Sequence, residues 1–267
     1  MPERIQLSDT LRRCLLAREL LPAQVRVNGK SYIPEAPVEA GLKGGVWRVR
    51  DEFGRLRALK LCIYDDYQDR SYLQELSRAA ALEPYKEFAH FVDAGLTNLS
   101  LGDLSDQTFV CFIEEWIDGF TLEKFLSDQK HLVTASFLLA YVHGICNALS
   151  ALKAVQLRHD DLHARNVMLA RPAPGDLSSE WTIKVIDTGS MKPLELPTKK
   201  PKDDHRHFVE HLVAIWNTIH ARLASAIRDR RFLAEVSRLL RSMLDDDPAY
   251  SGPSRPPIPV DAGHPFR

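Results

Sequence analysis

The run His159-Asp160-Asp161-Leu162-His163-Ala164-Arg165-Asn166-Val167-Met168-Leu169 constrains the chain most, because Ile186-Asp187-Thr188-Gly189 follows it, with Asp187 eighteen residues after Leu169. An aspartate before an Asn or a Gly is an ordinary turn former, so either segment alone reads as a loop. Their conjunction, directly after a long apolar stretch from Ser136 to Ala154, is far more specific. It places two carboxylate-bearing loops behind one long helix, in the second half of the chain.

The rest of the chain changes character near Ile117. Before it, Leu7, Leu11, Cys14, Leu15 and Leu21 recur at helical spacing, with Ser8 or Asp9 able to cap, which predicts a helix over Leu7 to Leu21. Val25 and Val27, then Asn28-Gly29, then Tyr32 and Ile33 predict a hairpin. A second hairpin is expected where Val46, Trp47 and Val49 meet Leu56, Ala58, Leu59 and Leu61 across a turn at Asp51 to Gly54. A helix over Ser71 to Leu82 and strands near Phe91 to Gly95 and Thr108 to Trp116 complete a small sheet with one helix. Beyond Asp118-Gly119 helices are expected over Thr121 to Ser127, Ser136 to Ala154, Arg206 to Arg222 and Phe232 to Leu244. From Asp245 the chain is rich in proline and reads as a tail or linker, with a further domain possible beyond residue 267.

Composition narrows the function classes. The 267 residues, 45% hydrophobic, can bury one large core or two modest ones. Lys and Arg number 35 against 36 Asp and Glu, so no whole-chain field points to nucleic acid or to an anionic membrane. Cys14, Cys62, Cys111 and Cys146 lie far apart with no CxxC pair, which points away from a disulfide framework or zinc cluster and toward a reducing, cytoplasmic setting. The uninterrupted apolar runs, such as Phe109 to Ile113 and Phe137 to Val142, fall short of the roughly 20 residues that cross a bilayer.

The two acidic segments resemble the catalytic loop (HRDxxxxN) and the DFG motif of the protein kinase superfamily. The resemblance implies an α+β, two-lobe fold with a small β-rich N-lobe and a mainly helical C-lobe, and ATP and magnesium bound between the lobes. It implies Asp161 as catalytic base and Asn166 and Asp187 as magnesium ligands, since phosphoryl transfer needs a carboxylate at the attacking hydroxyl and oxygen donors for the metal. Gly41, Gly44, Gly45 and Val46 resemble the second half of the glycine-rich loop, although Glu39 stands where the pattern's first glycine would be. Ala58-Leu59-Lys60 is similar to the VAIK strand, so Lys60 should reach the α- and β-phosphates with Glu75 as its partner. Glu114 to Gly119 looks like the linker that holds adenine through backbone groups, with Glu115 and Trp116 as candidates. Asp204 resembles the aspartate that ties down the catalytic-loop backbone. The domains implied are an extension over 1–36, an N-lobe over 37–116, a C-lobe over 117–250 and a tail over 251–267.

Three positions depart from the family pattern. Asp160 replaces the arginine of HRD and cannot bind a phosphate. His163 replaces the usual lysine, as in aminoglycoside-type small-molecule kinases. Only seventeen residues separate Asp187 from Asp204, with no APE motif between them. Two other patterns read as decoys. Gly29-Lys30-Ser31 resembles the end of a P-loop, but position 24 is Gln and the segment reads as a hairpin turn. His205, His207 and His211 lack a carboxylate or cysteine pair and read as solvated helix histidines rather than metal ligands. The expectation is an ATP-dependent phosphotransferase acting on a protein Ser or Thr hydroxyl. The alternatives are a small-molecule kinase of aminoglycoside-phosphotransferase type and a pseudokinase nucleotide-binding module.

Overall fold

The computed structural model describes residues 8–40, 44–64, 69–102, 106–171, 181–196, 203–223 and 238, and the chain divides into two units, Met1–Ile117 and Asp118–Arg267. In the first, Ser8 caps α1 (Asp9–Leu16), its hydroxyl accepting the Leu11 N–H at 3.1 Å. The backbone becomes extended at Ala17 and resumes as one 3-10 turn over Arg18–Leu20, so the single helix expected is two short pieces. Asn28 and Gly29, at φ 49° and 79°, turn β1 (Val25–Val27) into β2 (Lys30–Ala40) as the Asn-Gly signal requires. There follow β3 (Gly44–Arg50), β4 (Leu56–Ile63), α2 (Asp69–Leu82), β5 (Phe91–Leu99) and β6 (Gln107–Glu115).

These strands form one antiparallel six-stranded sheet in the order β1-β2-β3-β4-β6-β5. Its two edges meet: the Asn28 side-chain amide donates to Ala94 O at 2.7 Å and to Asp93 Oδ1 at 2.9 Å, and Lys30 pairs with Asp93 at 3.0 Å. The curl follows from strand twist and gives the sheet an inside and an outside. Leu59 and Leu61 point inward onto Trp47, Val49, Phe109 and Ile113, and α1 covers this face with Leu11 and Leu15. The Trp47 indole N–H donates to Leu15 O at 2.8 Å. Ala94, Val110 and Phe112 point outward, where Leu76 of α2 packs on them. Residues 36 and 37, between which the sequence reading separates extension from N-lobe, are both inside β2.

The second unit contains β7 (Gly119–Thr121), α3 (Leu122–Asp128), α4 (Ala135–Ala154), β8 (Leu157–Arg158), β9 (Val167–Ala170), β10 (Thr182–Val185), β11 (Lys192–Pro193) and α5 (Asp204–Leu223). Thr121 and Thr134 cap α3 and α4 through their hydroxyls. The strands make a β10-β9-β7 sheet and a β11-β8 pair, none of which the sequence reading foresaw, because runs of two to four residues are too short to display a period. Helix α4 lies hard against β10: a Cβ on Gly144 would sit 2.6 Å from Ile183 Cβ, so only glycine allows that approach. Over Phe137–Ala154 this helix is long and apolar enough to span a bilayer, contrary to the expectation from the shorter runs. Phe137, Tyr141, Ile145, Ala148 and Leu152 on it are buried in the core of the unit. Apart from residue 238, the expected helix over Phe232 to Leu244 lies outside the described residues, as do the proline-rich tail and Gly41.

Candidate active site

In the first unit the period-2 alternation of β4 sets the chemistry. With Leu59 and Leu61 facing the core, Lys60 must point to the α2 side. There its Nζ lies 3.2 Å from Glu75 Oε1 of α2 and 5.7 Å from the centroid of the Phe112 ring. Both side chains of the pair are largely covered, at 24% and 15% exposed, so their attraction is screened less than that of a surface pair. Strand register puts Val46 directly opposite Lys60, with Gly45 and Gly44 next along β3. Gly44 has a structural reason to be glycine, since a Cβ there would meet Leu61 O at 1.6 Å. Glu115 closes β6 and Trp116 follows it. The Glu115 N–H donates to His90 O at 2.8 Å, so that amide serves the fold, while Trp116 lies 5.8 Å under the Arg48 guanidinium.

In the second unit the β9–β10 hairpin does the positioning. Val167 pairs with Val185, so Asn166 and Ile186 fall opposite each other just beyond that end of the ladder, and the Ile186 N–H donates to Asn166 O at 2.9 Å. Asn166 and Asp187 therefore stand at the same end of this hairpin. The Asn166 side-chain N–H donates to Asp161 O at 2.9 Å, and the His163 N–H donates to the same carbonyl at 2.8 Å. One amide thus ties the loop bearing Asp161 to the strand leading to Asp187. Its Oδ1 together with the Asp187 carboxylate supplies hard oxygen donors, the type magnesium takes alongside waters and phosphate oxygens.

The loop bearing Asp161 is pinned from behind. Asp204, at the start of α5, accepts the His159 N–H at 2.6 Å and the Asp160 N–H at 2.9 Å. The His159 ring is fully buried and donates through Nε2 to Ile186 O at 2.9 Å. The Ser190 hydroxyl donates to His159 O at 3.0 Å. Burial holds His159 toward its neutral form and raises the Asp204 carboxyl, each against the pull of the other. Asp160 and Asp187 both sit in left-handed backbone, at φ 62° and 64°. Aspartate tolerates that conformation better than most residues.

Sequence reasoning missed the struts His159, Ser190 and Arg158 as individuals, because each acts through a contact between loops distant in the chain. It also misread one histidine. Of His205, His207 and His211 on α5, His205 is exposed, but His211 is buried with Nδ1 2.6 Å from the Tyr141 hydroxyl. Among the described residues no group of three His, Cys, Asp or Glu side chains is placed to hold a metal.

Known proteins resemble this chain in sequence and in fold. Residues 62–215 fit the family model described as protein tyrosine and serine/threonine kinase. Over 205 residues the chain is 25% identical to the tyrosine-protein kinase sid-3 of Caenorhabditis elegans, a match covering 70% of this chain and 15% of that protein. Its fold is similar to a kinase domain in a crystal structure, with a TM-score of 0.53 and 14% identity over 72% of this chain and 65% of that one. The family model spans more than half of the residues and includes the Asp161, Asn166, Asp187 and Asp204 loops. The chain belongs to the protein tyrosine and serine/threonine kinase family.

Proposed function

We propose that this protein is an ATP- and magnesium-dependent protein kinase that moves the γ-phosphoryl group to a side-chain hydroxyl. The observation that carries the reading is the bracing of Asp161: its carbonyl takes hydrogen bonds from Asn166 and His163, and the two residues before it are held by Asp204. Phosphoryl transfer asks a protein chiefly for positioning and electrostatic stabilisation, so a carboxylate carried on backbone held this firmly suits the base that receives the acceptor proton. Lys60, kept in place by Glu75, would bind the α- and β-phosphates, with the Gly41, Gly44, Gly45 and Val46 segment near them and Glu115 and Trp116 toward the adenine. Asn166 and Asp187 would hold magnesium, which when bound offsets the charge of the phosphates.

The acceptor proposed is a protein serine or threonine. Membership of a protein kinase family supports a protein acceptor over a small molecule, and the retained Lys60, Asp161, Asn166 and Asp187 argue against a pseudokinase. A tyrosine acceptor is the second reading, favoured by the name of the nematode relative, of which this chain spans 15%. Incubation with γ-labelled ATP and magnesium, alone and with a protein lysate, tests both. Label is expected on protein Ser or Thr, with turnover in Asp161→Asn lower by ~10² to 10⁴-fold and ATP affinity nearly unchanged. Asp160→Asn should cost less. Label on tyrosine would select the second reading, label confined to small molecules would overturn the protein acceptor, and equal activity in Asp161→Asn would overturn the base assignment.

A further inference from the structure

Arg158 is the junction between the catalytic loop and the segment that follows Asp187. It ends β8, opposite Lys192 of β11, and its side chain is only 13% exposed. The guanidinium Nε donates to Asp160 Oδ1 at 3.1 Å, and Asp160 is itself 8% exposed. From the same group, Nη1 reaches Pro193 O and Leu194 O, each at 3.4 Å, and Leu196 O. Backbone bonds run in parallel, from Leu194 N–H to Gln156 O at 3.0 Å and from Leu196 N–H to Pro193 O at 3.2 Å.

We propose that Arg158 is a positioning residue for phosphoryl transfer, binding residues 193–196 to the catalytic loop and, through Asp160, holding Asp161 in register. The proposal rests on the kinase reading above. Its physical basis is the geometry of guanidinium, whose planar fork can serve a carboxylate and several carbonyls at once. A carboxylate as covered as that of Asp160 is costly without a cation. Asp160 also occupies left-handed backbone and is one peptide bond from Asp161. Released from Arg158, it would relax toward solvent and carry the base with it. Lysine keeps the charge but cannot fork, so it should hold Asp160 and lose the carbonyls.

The experiment compares the full chain with Arg158→Gln, Arg158→Lys and Asp160→Asn, using hydrogen exchange read by mass spectrometry, calorimetric binding of Mg-ATP, and ADP release with Mg-ATP. In Arg158→Gln, amides over 192–196 should exchange at least about tenfold faster while peptides from α4 and the β9–β10 hairpin keep their protection, which excludes general unfolding. Mg-ATP affinity and KM should hold while kcat falls by roughly 10 to 100-fold, the scale of a misplaced catalytic group. Arg158→Lys should lie between parent and Gln. Unchanged exchange over 192–196 would overturn the clamp, and loosening without loss of kcat would overturn the positioning role. A parent chain that binds Mg-ATP yet neither releases ADP nor labels protein counts against the kinase reading instead, and the exchange result still decides the clamp.

Discussion

Asp160 and Asp161 are neighbours of one type with different duties. The first is turned into left-handed backbone and spent on Arg158, and the second is left 30% exposed with its carbonyl tied by Asn166. Burial also separates His211 from its neighbours on α5. Desolvation, then the nearby His207 and His163, lower its pKa from 6.5 to about 3. The sign follows directly: between pH 6.5 and about 3 the unfolded chain binds a proton that the folded chain refuses. Stability contributed by the neutral ring is therefore complete above pH 6.5 and is lost as pH falls, by up to about 1.4 kcal/mol per pH unit. Urea unfolding at pH 7 and pH 5 should show a smaller loss for His211→Gln, which can still bond to Tyr141, than for the parent. Equal slopes would refute this. Ser190 spends its hydroxyl on His159 O and Asp187 O, so a phosphate there would remove these bonds. Phosphatase-treated enzyme should keep its activity, and a collapse on an independently supplied substrate would refute that.

Among the elements, α1 carries more than its eight residues suggest. Leu15 is fully buried, its carbonyl receives the Trp47 indole, and its side chain lies where a Cβ on Gly45 would touch it at 3.4 Å. The helix thus backs the glycine-bearing strand β3 from the core side. Leu15→Ala should destabilise the protein by about 2 to 5 kcal/mol through the cavity it leaves, seen as a lower denaturation midpoint. A midpoint within error of the parent would mean that α1 is not part of the core. Strand β11 illustrates the opposite case: two residues long, it pairs with β8, and the chain just beyond it is held by the Leu194 N–H on Gln156 O and by the Arg158 guanidinium.

For the molecule as a whole, nucleotide and metal should appear as linked stabilisers. Binding to the folded chain alone at about 100 times Kd adds about 2.7 kcal/mol. Mg-ATP should therefore raise the melting temperature, and chelation of magnesium should remove most of the gain. Asp187→Ala should behave in magnesium as the parent does in chelator. If the variant shows the full shift, Asp187 is not the metal ligand.

The local decisions were legible in the sequence because local forces make them. Asn28-Gly29 dictates a tight turn, Ser8 can satisfy a helix N–H group, and alternation in β4 sends Lys60 away from Leu59 and Leu61. The Asp161, Asn166 and Asp187 pattern was readable through its family resemblance, although the antiparallel β9–β10 pairing that brings Asn166 and Asp187 to one end was not. Asp204 holding the amides of His159 and Asp160 was legible through the family resemblance, whereas Arg158 reaching carbonyls at 193–196, Asn28 closing the sheet on Asp93 and His211 meeting Tyr141 were not readable. Each joins segments far apart in the chain, and their partners are chosen by packing, where burial makes a missed hydrogen bond or an unpaired charge costly. Tertiary structure alone therefore decided which of these polar residues became struts and which stayed in solvent.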